Sequence, residues 1–157
     1  MITFTVYGKP QGKARARTVR NRFTGKVHSF TPDKTSEYEN LIRYAYHKQG
    51  GKIIEGPLSV FIVAFVPIPA SFNKKQKVAA IACELFPEVK PDNDNIEKIV
   101  FDALNGIAYK DDIQIVNSST VKKFDSDPRI EVTVRRLPSD WRKVDGKYIR
   151  RTYETNL

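Results

Sequence analysis

Apolar and polar residues alternate along Ile2-Thr-Phe-Thr-Val-Tyr7, the period-two pattern of a half-buried strand, until Gly8 and Pro10 interrupt it. The pattern then turns helical. Tyr38, Leu41, Ile42 and Ala45 form an apolar stripe on a helix that opens at Thr31-Pro32, carries its acids early and stops at Gly50-Gly51. Leu58–Val66 is almost uniformly apolar, β-branched and aromatic. That run predicts a central strand covered on both faces and closed by Pro67 and Pro69. A short helix with a basic start is expected over Asn73–Ala82. Ile96, Ile99, Val100, Ala103 and Leu104 recur at helical spacing and end at Asn105-Gly106. Ile113–Phe124 and Ile130–Leu137 read as two further strands, and the turn chemistry of Asp125-Ser-Asp-Pro-Arg129 predicts that they pair as an antiparallel hairpin. The sum is an α+β fold, a small mixed sheet of about four to five strands with helices packed on it.

At 157 residues the chain is read as one domain over 1–137, followed by a basic tail over 138–157. The tail sets Arg142, Lys143, Lys147, Arg150 and Arg151 around Trp141 and Tyr148; wrapping a partner subunit, touching DNA and disorder all stay open for it. A single cysteine, Cys83, rules out a disulfide framework within one chain and suits a reducing cytosol. The first residues carry no apolar signal-like core, and the longest apolar run is too short to span a bilayer, so a cytoplasmic protein without membrane contact is expected. His28 and His47 are far apart and unsupported by cysteine, which speaks against zinc.

The formal net charge is +9, which makes one stretch stand out. Asp92, Asp94, Asp102, Asp111 and Asp112 crowd into a basic chain. Packed carboxylates stay apart in solvent, take up protons or gather a cation. Pro91 keeps Lys90 extended, so Asp92 and Asp94, if still extended, point to the same side. Asp94 is a good N-cap for the following helix, with Glu97 in capping-box position. Lys98 lies one turn below Asp94, and Asp102 reads as the ion-pair partner of Lys98. If the helix returns the chain so that Asp112 meets Asp92 and Asp94, three hard oxygen ligands near a lysine suit Mg²⁺ or Mn²⁺. Taken singly, the Asp-x-Asp-Asn reads as a solvated loop or cap and the Asp-Asp pair as a turn; it is their conjunction that points to a metal.

A second charge run precedes it. Lys9, Lys13, Arg15, Arg17, Arg20, Arg22 and Lys26 occur with no acid between them, around a loop tip at Asn21–Gly25. In an extended arm Lys13, Arg15 and Arg17 point the same way, which favours a phosphate-contacting arm over a solvated loop. Lys74 and Lys75, with Lys77, are secondary candidates for the same task, and a solvated helix face accounts for them equally well.

Asp92-Asn-Asp-Asn-Ile-Glu-Lys98, Phe101-Asp-Ala-Leu-Asn-Gly106 and Tyr109-Lys-Asp-Asp-Ile-Gln-Ile115 together resemble the signature of the RusA family of Holliday junction resolvases. That pattern is an Asp-x-Asp-Asn, a lysine four residues after the second aspartate, an Asp-Ala-Leu and a later Asp-Asp, matched in order across residues 90–124. The spacing between the last two is tighter here than in some members, which shortens a loop. The resemblance implies a homodimeric α+β nuclease in DNA recombination and repair. It would resolve four-way junctions by paired nicks with Mg²⁺, Mn²⁺ substituting. It further implies that Asp92, Asp94 and Asp112 are the metal-binding catalytic acids and that Lys98 is required. Two rivals remain from the residues alone: a metal-dependent nuclease of other branched or duplex DNA, and a basic DNA-binding protein whose acids merely cap and solvate.

Overall fold

The computed structural model describes the backbone of residues 1–15, 17–20, 22–30, 32–137, 141–144 and 146–150. Its centre is a four-stranded sheet built from β1 (Ile2–Tyr7), β4 (Leu58–Pro67), β5 (Ile115–Asp125) and β6 (Arg129–Arg136), in the spatial order β1-β6-β4-β5. The segment leaving β1 carries a two-stranded antiparallel ribbon, β2 (Arg17–Arg20) with β3 (Val27–Phe30), and leads to helix α1 (Asp33–Lys48). Helices α2 (Lys74–Ile81) and α3 (Asn93–Leu104) lie between β4 and β5. A second ribbon, β7 (Trp141–Val144) with β8 (Lys147–Arg150), follows the sheet and gives strand structure to part of the tail; residues 151–157 lie outside the described residues. No helix among the described residues is long and apolar enough to cross a membrane.

The expected hairpin of the last two core strands is not formed. β4 lies between them, antiparallel to β6 and parallel to β5. A parallel pair needs a crossover of a dozen or more residues, and here the crossover carries α2, α3 and the whole acidic stretch. The turn chemistry at residues 125–129 is real but serves another purpose: it straps the end of β4. Arg129 Nη1 meets Asp125 at 2.9 Å, and the guanidinium lies 3.8 Å over the ring of Phe65.

One sheet face is buried by α1 and α3. Phe4, Val60, Ile62, Ala64, Ile130, Val132 and Val134 meet Tyr38, Ile42 and Tyr46 from α1 and Ile96, Ile99, Val100, Ala103 and Leu104 from α3. The α3 stripe is the one its spacing predicts. The α1 stripe is rotated: Leu41 is 49 % exposed, while Tyr46 and Glu39 turn inward, because the helix packs against α3 as well as the sheet. Gly51 passes so close to the Tyr46 ring that a Cβ there would collide with it. β4 is central, as expected, but is not covered on both faces: Phe61, pointing away from the helices, is 44 % exposed.

Because β1 and β4 both run antiparallel to β6, and β5 runs parallel to β4, three strands point the same way. Their C-terminal ends share one edge of the molecule. The basic arm leaves β1 there, held by a hydrogen bond from the Gly8 amide to the Pro128 carbonyl. Segments following such strand ends are a usual place for sites in open α/β sheets.

Candidate active site

The acidic stretch enters this edge through Lys90-Pro91 and starts α3 two residues earlier than its sequence suggests. Asp92, in extended conformation, is the N-cap, and Asp94 sits in the first turn. The capping box of Asp94 and Glu97 is not made. Instead Glu97 accepts from the Thr120 hydroxyl at 2.8 Å and from Ser118 at 3.4 Å, and Asn93 donates to the Thr120 carbonyl at 3.1 Å. The reason lies on β5, whose helix-facing positions 118, 120 and 122 are polar, so α3 docks its first turns there through hydrogen bonds. The Asp92 carboxylate makes no capping hydrogen bond and pairs with Lys90 Nζ at 2.6 Å. Both Asp92 and Asp94 are exposed, as is Lys98.

On the other side the basic arm lies against α3. The Lys13 amide donates to the Asn95 carbonyl at 2.8 Å, and a Cβ on Gly12 would come 2.9 Å from both Pro91 Cβ and Asn95 Cβ, so a glycine is needed for this close approach. The Lys13 ammonium then reaches Glu39 on α1 at 2.6 Å and Asp102 on α3 at 2.7 Å. Burial pulls its pKa down, but the hydrogen bonds and charges of Asp102 and Glu39 outweigh that and raise it above the ordinary lysine value. Asp102 therefore partners Lys13 and not Lys98, as its spacing had suggested. With two carboxylates on its ammonium, Lys13 ties the arm to α1 and α3. The buried Tyr38 hydroxyl beneath the arm faces the Gln11 backbone without a hydrogen bond of ordinary geometry, and burial raises its pKa.

Between arm and acids is a cleft of about 330 Å³ walled by Lys9, Lys13, Lys90, Asp92 and Asn95. A second cavity of about 590 Å³ carries Arg15 and Lys34 at the start of α1. Arg15, Arg20 and Arg22 are exposed; Arg20 Nε reaches the Gly25 carbonyl at 3.3 Å within the ribbon, and the side chain of Arg17 lies outside the described residues. Lys74 and Lys75 open α2 and are exposed. α2 packs through Ala80 on Phe124 near the end of β5, so these lysines stand at the same edge as Asp92.

Asp112 is elsewhere. It opens a single 3₁₀ turn, Asp112–Gln114, immediately before β5, with the Asp111 carboxylate accepting from the Ile113 amide. The first turn of α3 lies over Thr120, further along β5. The strand alone advances about 17 Å from Ile115 to Thr120. The expected convergence of Asp112 with Asp92 and Asp94 is thus not seen within one chain. Among the described residues no three His, Cys, Asp or Glu side chains gather closely enough to hold a metal. Asp112 instead lies near Tyr109, whose hydroxyl donates to the Phe101 carbonyl at 2.9 Å; burial first, then the charges of Asp112 and Asp102, push the Tyr109 pKa up.

A family model for the endodeoxyribonuclease RusA matches residues 7–135, a span that holds the arm, the acidic stretch, β4, β5 and all but the last residue of β6, and takes in only the final residue of β1. The chain belongs to the RusA endodeoxyribonuclease family. It is also similar to the uncharacterized protein YqaN of Bacillus subtilis (strain 168), 39 % identical over 140 residues that cover 87 % of this chain and 96 % of that protein. Within the RusA frame, Lys122 is the residue that reading the sequence passed over. Half-buried on β5, it donates to the Val89 carbonyl at 2.7 Å and the Pro91 carbonyl at 3.3 Å. Its only sequence signal is a lysine at a position whose neighbours in period two face the helices.

Two exposed carboxylates at the start of one helix fit Mg²⁺ in kind. That ion is held through one or two carboxylates and completes its octahedron with water and substrate phosphate oxygens. Asp92 and Asp94 are the residues of this chain that would hold it.

Proposed function

We propose that this protein is a Mg²⁺-dependent endodeoxyribonuclease that resolves four-way DNA junctions by paired symmetric nicks, as a homodimer, in recombination and repair. The observation that carries the reading is the placement of Asp92 and Asp94, exposed at the start of α3 beside a basic arm, in a chain of net charge +9. When bound there, the metal polarises the scissile phosphate and lowers the pKa of its water. The chain's own contributions are distinct. Asp92 and Asp94 present hard oxygens from a clamped backbone. Lys98, one turn below Asp94, offers an exposed ammonium to charge that develops on the phosphate. Arg15, Arg17, Arg20 and Arg22, with Lys74 and Lys75, contact DNA phosphates, which positions the duplex arms without reading sequence.

Asp112 completes the acidic set that the family resemblance implies. It reaches the Asp92–Asp94 edge by movement of residues 105–114 or from a second copy of the chain. A two-fold enzyme suits the substrate, since a four-way junction offers two related strands.

The test is incubation of the purified protein with a synthetic four-way junction, a flap and a linear duplex, with and without Mg²⁺, together with a mass measurement in solution. Symmetric nicks on the junction, dependent on the ion and made by a dimer, are expected. Equal cutting of all three DNAs would replace junction resolution by a more general nuclease, and no cutting at all would leave a DNA-binding protein.

A further inference from the structure

The polar face of β5 beneath α3 contains one cation, and its bonds converge on the residues just before Asp92. Lys122 has its ammonium on the carbonyls of Val89 and Pro91. The Pro91 carbonyl belongs to the peptide plane that joins Pro91 to Asp92. On the far side of the same residue, the Asp92 carbonyl accepts the first helical hydrogen bond, from Ile96 N–H at 3.1 Å. Both peptide planes flanking Asp92 are therefore held, one by Lys122 and one by α3. The direction of its Cα–Cβ bond follows from those two planes. Asp94, two residues into the same helix start, inherits the orientation.

We infer that Lys122 is a positioning residue for the candidate metal site: by holding the Pro91 carbonyl it aims the Asp92 and Asp94 carboxylates at a common divalent cation. The inference rests on the reading of Asp92 and Asp94 as metal ligands. Hydrogen-bond partners one step behind a ligand commonly set metal affinity, with losses of about 10–100-fold when removed. Lysine suits this place because its compact ammonium donates in three directions, so two carbonyls from one loop can share it. Neighbouring Thr120 serves as the internal comparison. It holds Glu97 and Asn93, further into the helix, and has no bond to the peptide before Asp92.

The experiment measures Mn²⁺ binding to the full-length protein by electron paramagnetic resonance, alongside thermal unfolding and junction binding in the absence of metal. Lys122→Met is expected to weaken Mn²⁺ by about tenfold or more. Its metal-free junction binding should stay near wild type. Lys122→Arg, whose fork can still donate to two carbonyls, should recover most of the affinity, and Thr120→Val should bind Mn²⁺ like wild type. Should K122M fail to fold, Lys122→Gln, which keeps one donor, takes its place with the same expected direction. Wild-type Mn²⁺ affinity in the Met or Gln variant overturns the inference, as does an equal loss in T120V, which would mean general loosening of the α3 contact. Absence of Mn²⁺ binding by the wild-type protein would instead overturn the metal-site reading itself.

Discussion

The Lys13 ammonium lies 2.7 Å from the Asp102 carboxylate, joining the basic arm to the last turn of α3. Glu39, 11 % exposed at its side chain, takes the same ammonium at 2.6 Å and Arg43 at 3.2 Å. Removing one partner of a buried pair leaves the other charge uncompensated, though here Arg43 still serves Glu39. Lys13→Met should therefore cost about 1–3 kcal/mol in stability. Urea unfolding would show it as a lower midpoint with an unchanged slope. A variant that unfolds like wild type but loses DNA affinity would assign Lys13 to the phosphate contacts.

Gly12 sets the height of the arm over the acids. A methyl group there would meet Pro91 and Asn95 at 2.9 Å, closer than real Cβ contacts allow, and the neighbours are a ring and a helix residue with little freedom. Gly12→Ala should lift the arm, with an overpacking cost of about 1–3 kcal/mol. Cleavage of the junction at saturating DNA should fall, and trypsin should cut among Lys13, Arg15 and Arg17 sooner than in wild type. Unchanged proteolysis would mean that the arm adapts without leaving α3.

These two contacts show how far the residues alone could be read. The α3 stripe was legible because five apolar residues keep helical spacing against a polar remainder, and β1 because its alternation is strict. The position of Asp112 was not. α3 carries the chain about 18 Å away from Asp92. The return journey is then made by β5, so it is Thr120 and Lys122 that arrive beside the first turn, while Asp112 stays behind at the start of the strand. The hairpin failed for a related reason. Turn residues fix where the chain bends, but the apolar run of β4 takes the central place between the two strands that the turn connects. Asp102 shows the limit of local rules: a helical partner four residues away lost to a lysine from the arm, which brings Glu39 into the same ion pair.

Arg15 and Arg17 test the phosphate assignment without touching the acids. Each lysine or arginine that neutralises a phosphate contributes about 0.9 to the slope of log affinity against log salt. Arg15→Ala with Arg17→Ala should weaken junction binding and reduce that slope by about 2. Measuring binding by fluorescence anisotropy from low to moderate salt checks it. A lower affinity with the same slope would assign the two arginines to folding of the ribbon.

Asp125 carries a pH dependence that is separate from the site. The amide of Asp127 and then the guanidinium of Arg129 hold its carboxyl below the ordinary value near 3.8. A group with a depressed folded pKa stabilises the protein above its unfolded pKa and loses that contribution as pH falls through the folded value. Asp125→Ala should then lower Tm at pH 7 by about 2–4 °C, corresponding to about 1 kcal/mol. The gap between variant and wild type should shrink progressively once the pH drops below that ordinary value. A gap that persists undiminished in acid would assign the loss to packing on Phe65 and not to charge.

Asp94→Asn and Asp112→Asn should each abolish junction cleavage while leaving metal-free junction binding intact, since neither change touches the basic surface. Mixing them is more informative. Asp112 is exposed, stands away from its own Asp92 and Asp94, and is followed by Ile113 and Val116, 80 % and 59 % exposed. Apolar side chains so open beside a charged site residue are the kind of surface that a second subunit covers. If Asp112 serves the partner's ion, a mixed dimer of D94N and D112N keeps one intact site. That site would hold Asp92 and Asp94 from the D112N chain and Asp112 from the D94N chain. Single nicks should then reappear on refolding the two variants together, although each alone is inactive. If the mixture stays inactive while wild type refolded in the same way cuts normally, Asp112 closes on the acids of its own chain, and residues 105–114 must move to bring it there.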